Sequence, residues 1–317
     1  MMATRNKLAG VSPWFSRLAW VTLAYTALVG LWGGYVRATG SGAGCGAHWP
    51  LCNGEVIPRP ESLATWIEFS HRLSSGLDLI LVAVLAIWAW RIFPRGHLVR
   101  LGAGLSSFFI VTEALLGAGL VLFELVAHDA SLTRAFSMAL HLLNTFLLLA
   151  SLALTAFWAT GFVGPRQKPS WLLLVGAVGI LLAGISGAVA ALGDTLFPAT
   201  SLATGLNQTW QEASHVFLRL RAFHPLLAVV FGVWVAVTAL KFLGRPTPLR
   251  HLAIGTLALV GLQITAGLIN LALLAPIPMQ IVHLALAYIL WITQILLIDA
   301  SASEVTIGDE IPSPAHY

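Results

Sequence analysis

The chain has 317 residues, of which 58% are hydrophobic and only 9% charged. Mean hydropathy is +0.85, whereas a soluble domain carries about 25% charged residues, so a soluble globular fold is excluded and most of the mass belongs in lipid. The net charge of +4 does not point to nucleic acid, because the basic residues stand in short loops between apolar runs, as membrane topology requires.

A spanning helix needs roughly 20 mostly apolar residues. Eight segments qualify in chain order: about Leu18–Val36, His71–Trp90, Leu101–Phe123, Ala135–Trp158, Trp171–Leu192, Ala222–Leu240, Leu252–Leu274 and Met279–Ile298. Runs of this length cross lipid as helices and not as barrel strands. The predicted fold is all-α, a polytopic membrane protein of eight transmembrane helices. The first run is long enough to span and no small-residue cleavage site follows it, so it reads as a helix and not as a removable signal.

Lysine and arginine set the orientation. One set of helix ends holds Arg5, Lys7, Arg17, Arg91, Arg95, Arg100, Arg166, Lys168, Lys241, Arg245 and Arg250, which is 11 of the 17 basic residues. The positive-inside rule makes these ends cytoplasmic. Both termini are then expected inside a cell inner membrane, with loops 37–70 and 193–221 outside. The acidic stretch from Asp299 to Tyr317 reads as a disordered cytoplasmic tail.

The two halves resemble each other. Helix 1 ends Gly33-Gly34-Tyr-Val-Arg-Ala-Thr-Gly40 and helix 5 ends Ser186-Gly187-Ala-Val-Ala-Ala-Leu-Gly193. Helix 3 carries Glu113-x-x-x-Gly117 and helix 7 carries Gln263-x-x-x-Gly267. A duplicated unit of four helices gives a parallel repeat, because an even number of spans preserves orientation. The expected organisation is two similar four-helix bundles, residues 1–160 and 161–299, followed by the tail 300–317. Gly30, Gly33, Gly184 and Gly187 would let helices approach closely.

Four of the ten histidines stand at the outer starts of the even helices: His71, His141, His224 and His283. A six-coordinate heme needs two axial imidazoles from facing helices. Each half supplies such a couple, His71 with His141 and His224 with His283, so two heme sites are expected. His215 competes with His224, since Glu212-x-x-His215 echoes Glu68-x-x-His71, but its place in the outer loop favours His224. Arg37, Arg72, Arg134, Arg219 and Arg221 gather on the same side, where anionic propionates would meet them.

Glu68, three residues before His71, suits either a proton relay beside heme or a carboxylate favourable at a helix N-terminus. Asp78 and Glu113 are formal charges well inside the spans, as proton relays or as protonated structural donors. Cys45 and Cys52 share the first outer loop, where oxidation is permitted, and a disulfide, structural or exchangeable with an external thiol, is expected there.

The stretch Thr39-Gly-Ser-Gly-Ala-Gly-Cys45-Gly-Ala-His-Trp-Pro-Leu-Cys52-Asn-Gly, then Glu68-Phe-Ser-His71-Arg72, and later Pro276-x-Pro278-x-Gln280-x-x-His283, resembles the heme A synthase family over all eight helices. The resemblance implies an oxidoreductase that converts the ring-D methyl of heme O to a formyl group by successive hydroxylations, giving heme A for terminal oxidases. By similarity, His71 and His141 hold substrate heme O, His224 and His283 hold a heme b cofactor, Glu68 is the essential acid, and Cys45 with Cys52 is the redox-active pair of one subgroup. The chain departs at His224-Pro225, where His-Arg would match His71-Arg72, and Arg219 or Arg221 is the available substitute. Implied partners are a heme O synthase as donor, an external electron acceptor or thiol–disulfide partner, membrane lipid and a possible second copy. Two other classes accommodate the histidines: a diheme electron carrier of the quinol-oxidising type, and a heme transporter or chaperone.

Overall fold

Among the described residues, apolar runs broken by Gly, Pro and basic residues fold into ten α-helices: α1 Pro13–Ala38, α2 Leu63–Ile92, α3 Leu98–Leu122, α4 Leu132–Trp158, α5 Trp171–Leu196, α6 Leu202–Trp210, α7 Val216–Arg221, α8 Phe223–Leu240, α9 Leu249–Ala272 and α10 Ile277–Ala302. They belong to a computed structural model that describes residues 13–59, 62–161, 167–211 and 215–303. Arg5, Lys7, Arg166, Glu212 and the expected tail beyond Ser303 lie outside the described residues. Eight helical segments are long and apolar enough to cross a membrane, with α7 and α8 together making one, Val216–Leu240. The chain is an all-α, multi-pass membrane protein.

The helices outrun the apolar segments that announce them. α2 begins at Leu63, where Ser62 accepts a 3.2 Å hydrogen bond from the Thr65 N–H and caps the helix. His71 therefore sits about two turns inside α2 and not at its start. His141 and His283 are likewise internal to α4 and α10. Hydropathy marks only the lipid-facing part of a helix, and polar first turns such as Thr65 to Glu68 escape it.

The sixth span breaks at Ala222, between α7 and α8. Pro225 has no N–H to give to the carbonyl of Arg221 four residues back, which is how proline opens a helix. The outer loop before it contains α6, a helix that the sequence does not announce. Its nine residues carry too few apolar side chains to signal a span. At the other end, α10 runs to Ala302, past Asp299 where the tail was expected to begin. Asp299 is buried and accepts a 2.9 Å hydrogen bond from Trp158 Nε1 of α4.

Helix contacts follow one cyclic order in both halves. α1 touches α2 and α4, which both touch α3; α5 touches α8 and α10, which both touch α9. The halves meet through α1, α4, α5 and α10. Lipid gives no hydrophobic drive for helix association, so close packing and interhelical hydrogen bonds hold the halves together. Phe146 of α4 packs edge-on against Tyr288 and Trp291 of α10, and Trp291 Nε1 donates to the Phe146 carbonyl at 2.6 Å. Within the first half, Thr26 donates to the buried carboxylate of Asp78 at 2.7 Å, which ties α1 to α2.

Candidate functional site

Each of the four histidines lies against a glycine of the preceding odd-numbered span. A Cβ placed on Gly33 of α1 would stand 3.1 Å from His71 Cε1, and one on Gly267 of α9 would stand 3.1 Å from His283 Cε1. The equivalent distance from Gly187 of α5 to His224 Cε1 is 2.9 Å, and from Gly117 of α3 to His141 Nε2 it is 3.8 Å. The glycines leave room for imidazole rings between helices that otherwise touch. They also correct the register read from sequence: Gly33, and not Gly34, stands where Gly187 stands. Gly34 instead faces Leu284 of α10.

His224 and His283 face each other, with ring centroids 6.2 Å apart and planes at 84°. Two imidazoles sharing one iron, with each Fe–N about 2 Å, put their ring centres about 6 Å apart. His224 Nδ1 lies 3.1 Å from the Ala183 carbonyl and 3.1 Å from Ser186 Oγ. A backbone acceptor on Nδ1 fixes the tautomer that leaves Nε2 free to ligate. Nothing in the sequence reading gave Ser186 this part, although the residue stood beside Gly187 in the repeat. The residues of the second half therefore fit a heme, which His224 and His283 would hold. His215, the competitor, caps α7 by accepting from the Phe217 N–H at 3.3 Å, and its ring packs on Phe197 and Phe217.

In the first half, His71 stands against Gly33 of α1 and His141 against Gly117 of α3. Glu113 Oε1 lies 3.4 Å from His141 Nδ1. The same carboxylate accepts from Asn144 Nδ2 and Thr145 Oγ1, each at 2.5 Å. In the second half the residue at the corresponding motif position is Gln263, whose Nε2 lies 3.5 Å from the other ring nitrogen, Nε2, of His283.

The loop between α1 and α2 is docked on α2. The Cys45–Cys52 disulfide is formed and both sulfurs are buried. Glu68 accepts a 2.8 Å hydrogen bond from the Cys45 N–H on one oxygen and pairs with Arg72 on the other, at 3.1 Å to Nε and 2.5 Å to Nη2. Arg72 Nη1 also donates to the carbonyls of His48 and Leu51, each at 2.5 Å. Thr65 Oγ1 adds a 2.8 Å bond to the Gly44 carbonyl. Glu68 is only 3% exposed, so it forms the floor of the disulfide loop as well as the flank of His71.

The remaining arginines also reach this side. Arg37 donates to the Ala191 carbonyl and Thr195 Oγ1, each at 2.9 Å, and to Gln280 Oε1 at 2.6 Å, joining α1 to α5 and α10 across the halves. Arg134 is buried and bonds the Ala127 and Asp129 carbonyls at 2.7 Å each, while its Nε has no hydrogen-bond partner. Arg221 pairs with Asp194 at 3.1 Å and donates to Thr209 Oγ1 and the Gly205 carbonyl, fastening α6 to α5. Arg221 thus ties down the second outer loop as Arg72 ties down the first, from the other side of its histidine. Arg219 is exposed and donates to the Gln211 carbonyl at 3.4 Å.

With this geometry in place, the comparisons with known proteins become specific. The family model described as Cytochrome oxidase assembly protein (COX15-CtaA) matches residues 16–295. The chain belongs to that family. Its match covers all eight spans and both histidine couples. A protein named Heme A synthase from Lysinibacillus sphaericus is 29% identical over 265 residues, 80% of this chain and 84% of its own length. Another of the same name, from Halalkalibacterium halodurans, is 40% identical over 151 residues, 48% of each chain. A Thermus thermophilus protein named Protoheme IX farnesyltransferase is 49% identical over 312 residues, 94% of this chain but 51% of its own length. The chain therefore spans about half the length of that relative.

Proposed function

We propose that this chain is a heme A synthase, an oxidoreductase that converts the ring-D methyl of heme O to a formyl group. The observation that carries the reading is the placement of His224 and His283 at 6.2 Å, with His71 and His141 against glycines in the matching spans of the first half and a buried Glu68 under the disulfide loop. The names of the Lysinibacillus and Halalkalibacterium relatives support it.

The division of labour follows the duplication. His71 and His141 orient the substrate heme O in the first bundle. His224 and His283 hold a heme b cofactor in the second. Heme iron supplies the redox chemistry that an inert methyl C–H requires, while protein supplies position. Glu68 serves as the acid–base group beside the substrate, oriented by Arg72 and the Cys45 N–H. The docked loop shields that carboxylate from bulk water. Arg37, Arg72, Arg134, Arg219 and Arg221 form the cationic rim for the propionates, with the unpartnered Nε of Arg134 the donor in greatest need of an acceptor. The basic helix ends place both termini in the cytoplasm and the disulfide loop on the outer side of the cell membrane. There Cys45 and Cys52 can meet an external thiol–disulfide partner.

The partner that supplies the substrate is a prenyl-transferring heme O synthase. The Thermus relative carries a farnesyltransferase name, and about half of its length is not matched by this chain, which supports such a partnership.

Co-expression with a heme O source, followed by chromatography of extracted hemes, tests the assignment. Wild type is expected to yield heme A together with heme O and heme b, and Glu68→Ala to retain heme O without heme A. Heme b alone in the wild-type extract would instead favour an electron carrier. His215→Ala separates the two candidate ligands of the second half. It is expected to lower thermal stability by about 1 kcal/mol through loss of a cap and to leave the heme absorption spectrum unchanged.

A further inference from the structure

The two halves share a plan but differ in the charge placed next to the fourth-helix histidine. In the first half a carboxylate oxygen of Glu113 lies 3.4 Å from His141 Nδ1, and that buried nitrogen has no other hydrogen-bond partner. In the second half the residue four positions before the glycine is Gln263, a neutral amide, and it lies against Nε2 of His283 at 3.5 Å. His283 Nδ1 is buried without a partner.

Glu113 is also held rigidly. Asn144 Nδ2 donates to one oxygen and Thr145 Oγ1 to the other, each at 2.5 Å. Asn144 is itself fixed by accepting from Thr112 Oγ1 at 2.6 Å and donating to the Phe109 carbonyl at 2.9 Å. Two donors aimed at the carboxylate leave its remaining lone pairs for the imidazole. A carboxylate on the outer nitrogen of a ligating histidine makes the ring a stronger electron donor and orients it. Glu113 and the His141 ring are half-buried, so their interaction is screened less than one between fully exposed groups.

We infer that Glu113 is a positioning residue that makes His141 the more electron-rich axial ligand, so that iron in the first half has a lower midpoint potential than iron in the second, where Gln263 supplies no charge. This deepens the heme A synthase reading and rests on it. The half expected to carry substrate is biased toward oxidised iron, and the half expected to carry heme b toward reduced iron. The asymmetry directs electrons from the first site to the second.

The test is a spectroelectrochemical titration of the full-length protein in lipid nanodiscs loaded with iron protoporphyrin IX, with low-spin ferric EPR as a second readout. Glu113→Gln is expected to raise the lower midpoint potential so that the ferrous-to-ferric ratio at a fixed poise changes at least tenfold, about 59 mV for one electron. The EPR g-spread of that heme should shift with it, while the higher-potential heme stays unchanged. The Glu113→Asp variant, which keeps the charge but withdraws it from His141 Nδ1, is expected to raise the same potential by a smaller step, and it carries the test if Glu113→Gln fails to fold or to load. Two loaded hemes whose potentials ignore both substitutions would overturn the inference and leave the heme reading intact. Failure of the wild type to bind iron protoporphyrin in the first half would overturn both.

Discussion

Adding one methyl group at Gly187 should expel heme from the second half, whereas the same change at Gly117 should be tolerated. A Cβ at Gly187 would come within 2.9 Å of His224 Cε1, closer than carbon atoms pack, while one at Gly117 would clear His141 by 3.8 Å. Gly33 and Gly267, at 3.1 Å from their histidines, fall between. The His224 ring cannot retreat without breaking its contacts to the Ala183 carbonyl and Ser186, both at 3.1 Å. Overpacking of this kind costs about 1–3 kcal/mol, which is roughly 5- to 150-fold in affinity. Heme titrations of Gly187→Ala, Gly33→Ala, Gly267→Ala and Gly117→Ala should therefore rank in the order of those distances, with Gly117→Ala within about twofold of wild type. The pyridine hemochrome of Gly187→Ala should resemble that of His224→Ala. Equal heme content in Gly187→Ala and wild type would mean that the ring does not ligate from this position, and the histidine couples would lose their strongest support.

Much of this was legible in the sequence because lipid enforces a simple rule. Every span had to show as a long apolar run, so all eight were found. The four histidines stood out because they repeat in a duplicated frame, and His224 and His283 do meet across the second half. Helix boundaries were less legible, since the polar turn Thr65 to Glu68 extends α2 outside the apolar stretch. The helix α6 was invisible for the same reason. The partners of the arginines could not be read at all. Nothing local announces that Arg72 will grasp carbonyls of His48 and Leu51, or that Arg37 will bridge to Gln280, 243 positions away. Those bonds are made by the docking of loops and halves, and pattern within one helix does not encode them. The glycine motifs were visible as repeats, but their purpose, making space for a ring on the next helix, required three dimensions.

Glu68 stands where a structural part and a chemical part overlap, and two substitutions pull them apart. Glu68→Ala leaves the buried Cys45 N–H without an acceptor and Arg72 without its partner. Breaking a buried pair from one side typically costs about 3–5 kcal/mol, and here the loss falls on the loop that carries the disulfide. The loop of Glu68→Ala should therefore open to protease, and the Cys45–Cys52 bond should be reduced by dithiothreitol at least tenfold faster than in wild type. Glu68→Gln keeps the shape and one carbonyl oxygen, which can face either the Cys45 N–H or Arg72. Its loop should stay closed, with reduction within about threefold of wild type. If Glu68 moves a proton during methyl oxidation, Glu68→Gln should still lose heme A formation by two orders of magnitude or more, the scale of a missing acid–base group, while retaining bound heme O. A Glu68→Gln protein that makes heme A at the wild-type rate would leave Glu68 as the clamp of the disulfide loop and nothing else. The acid–base part would then have to be sought in another group of the first half, such as the half-buried Glu113 beside His141.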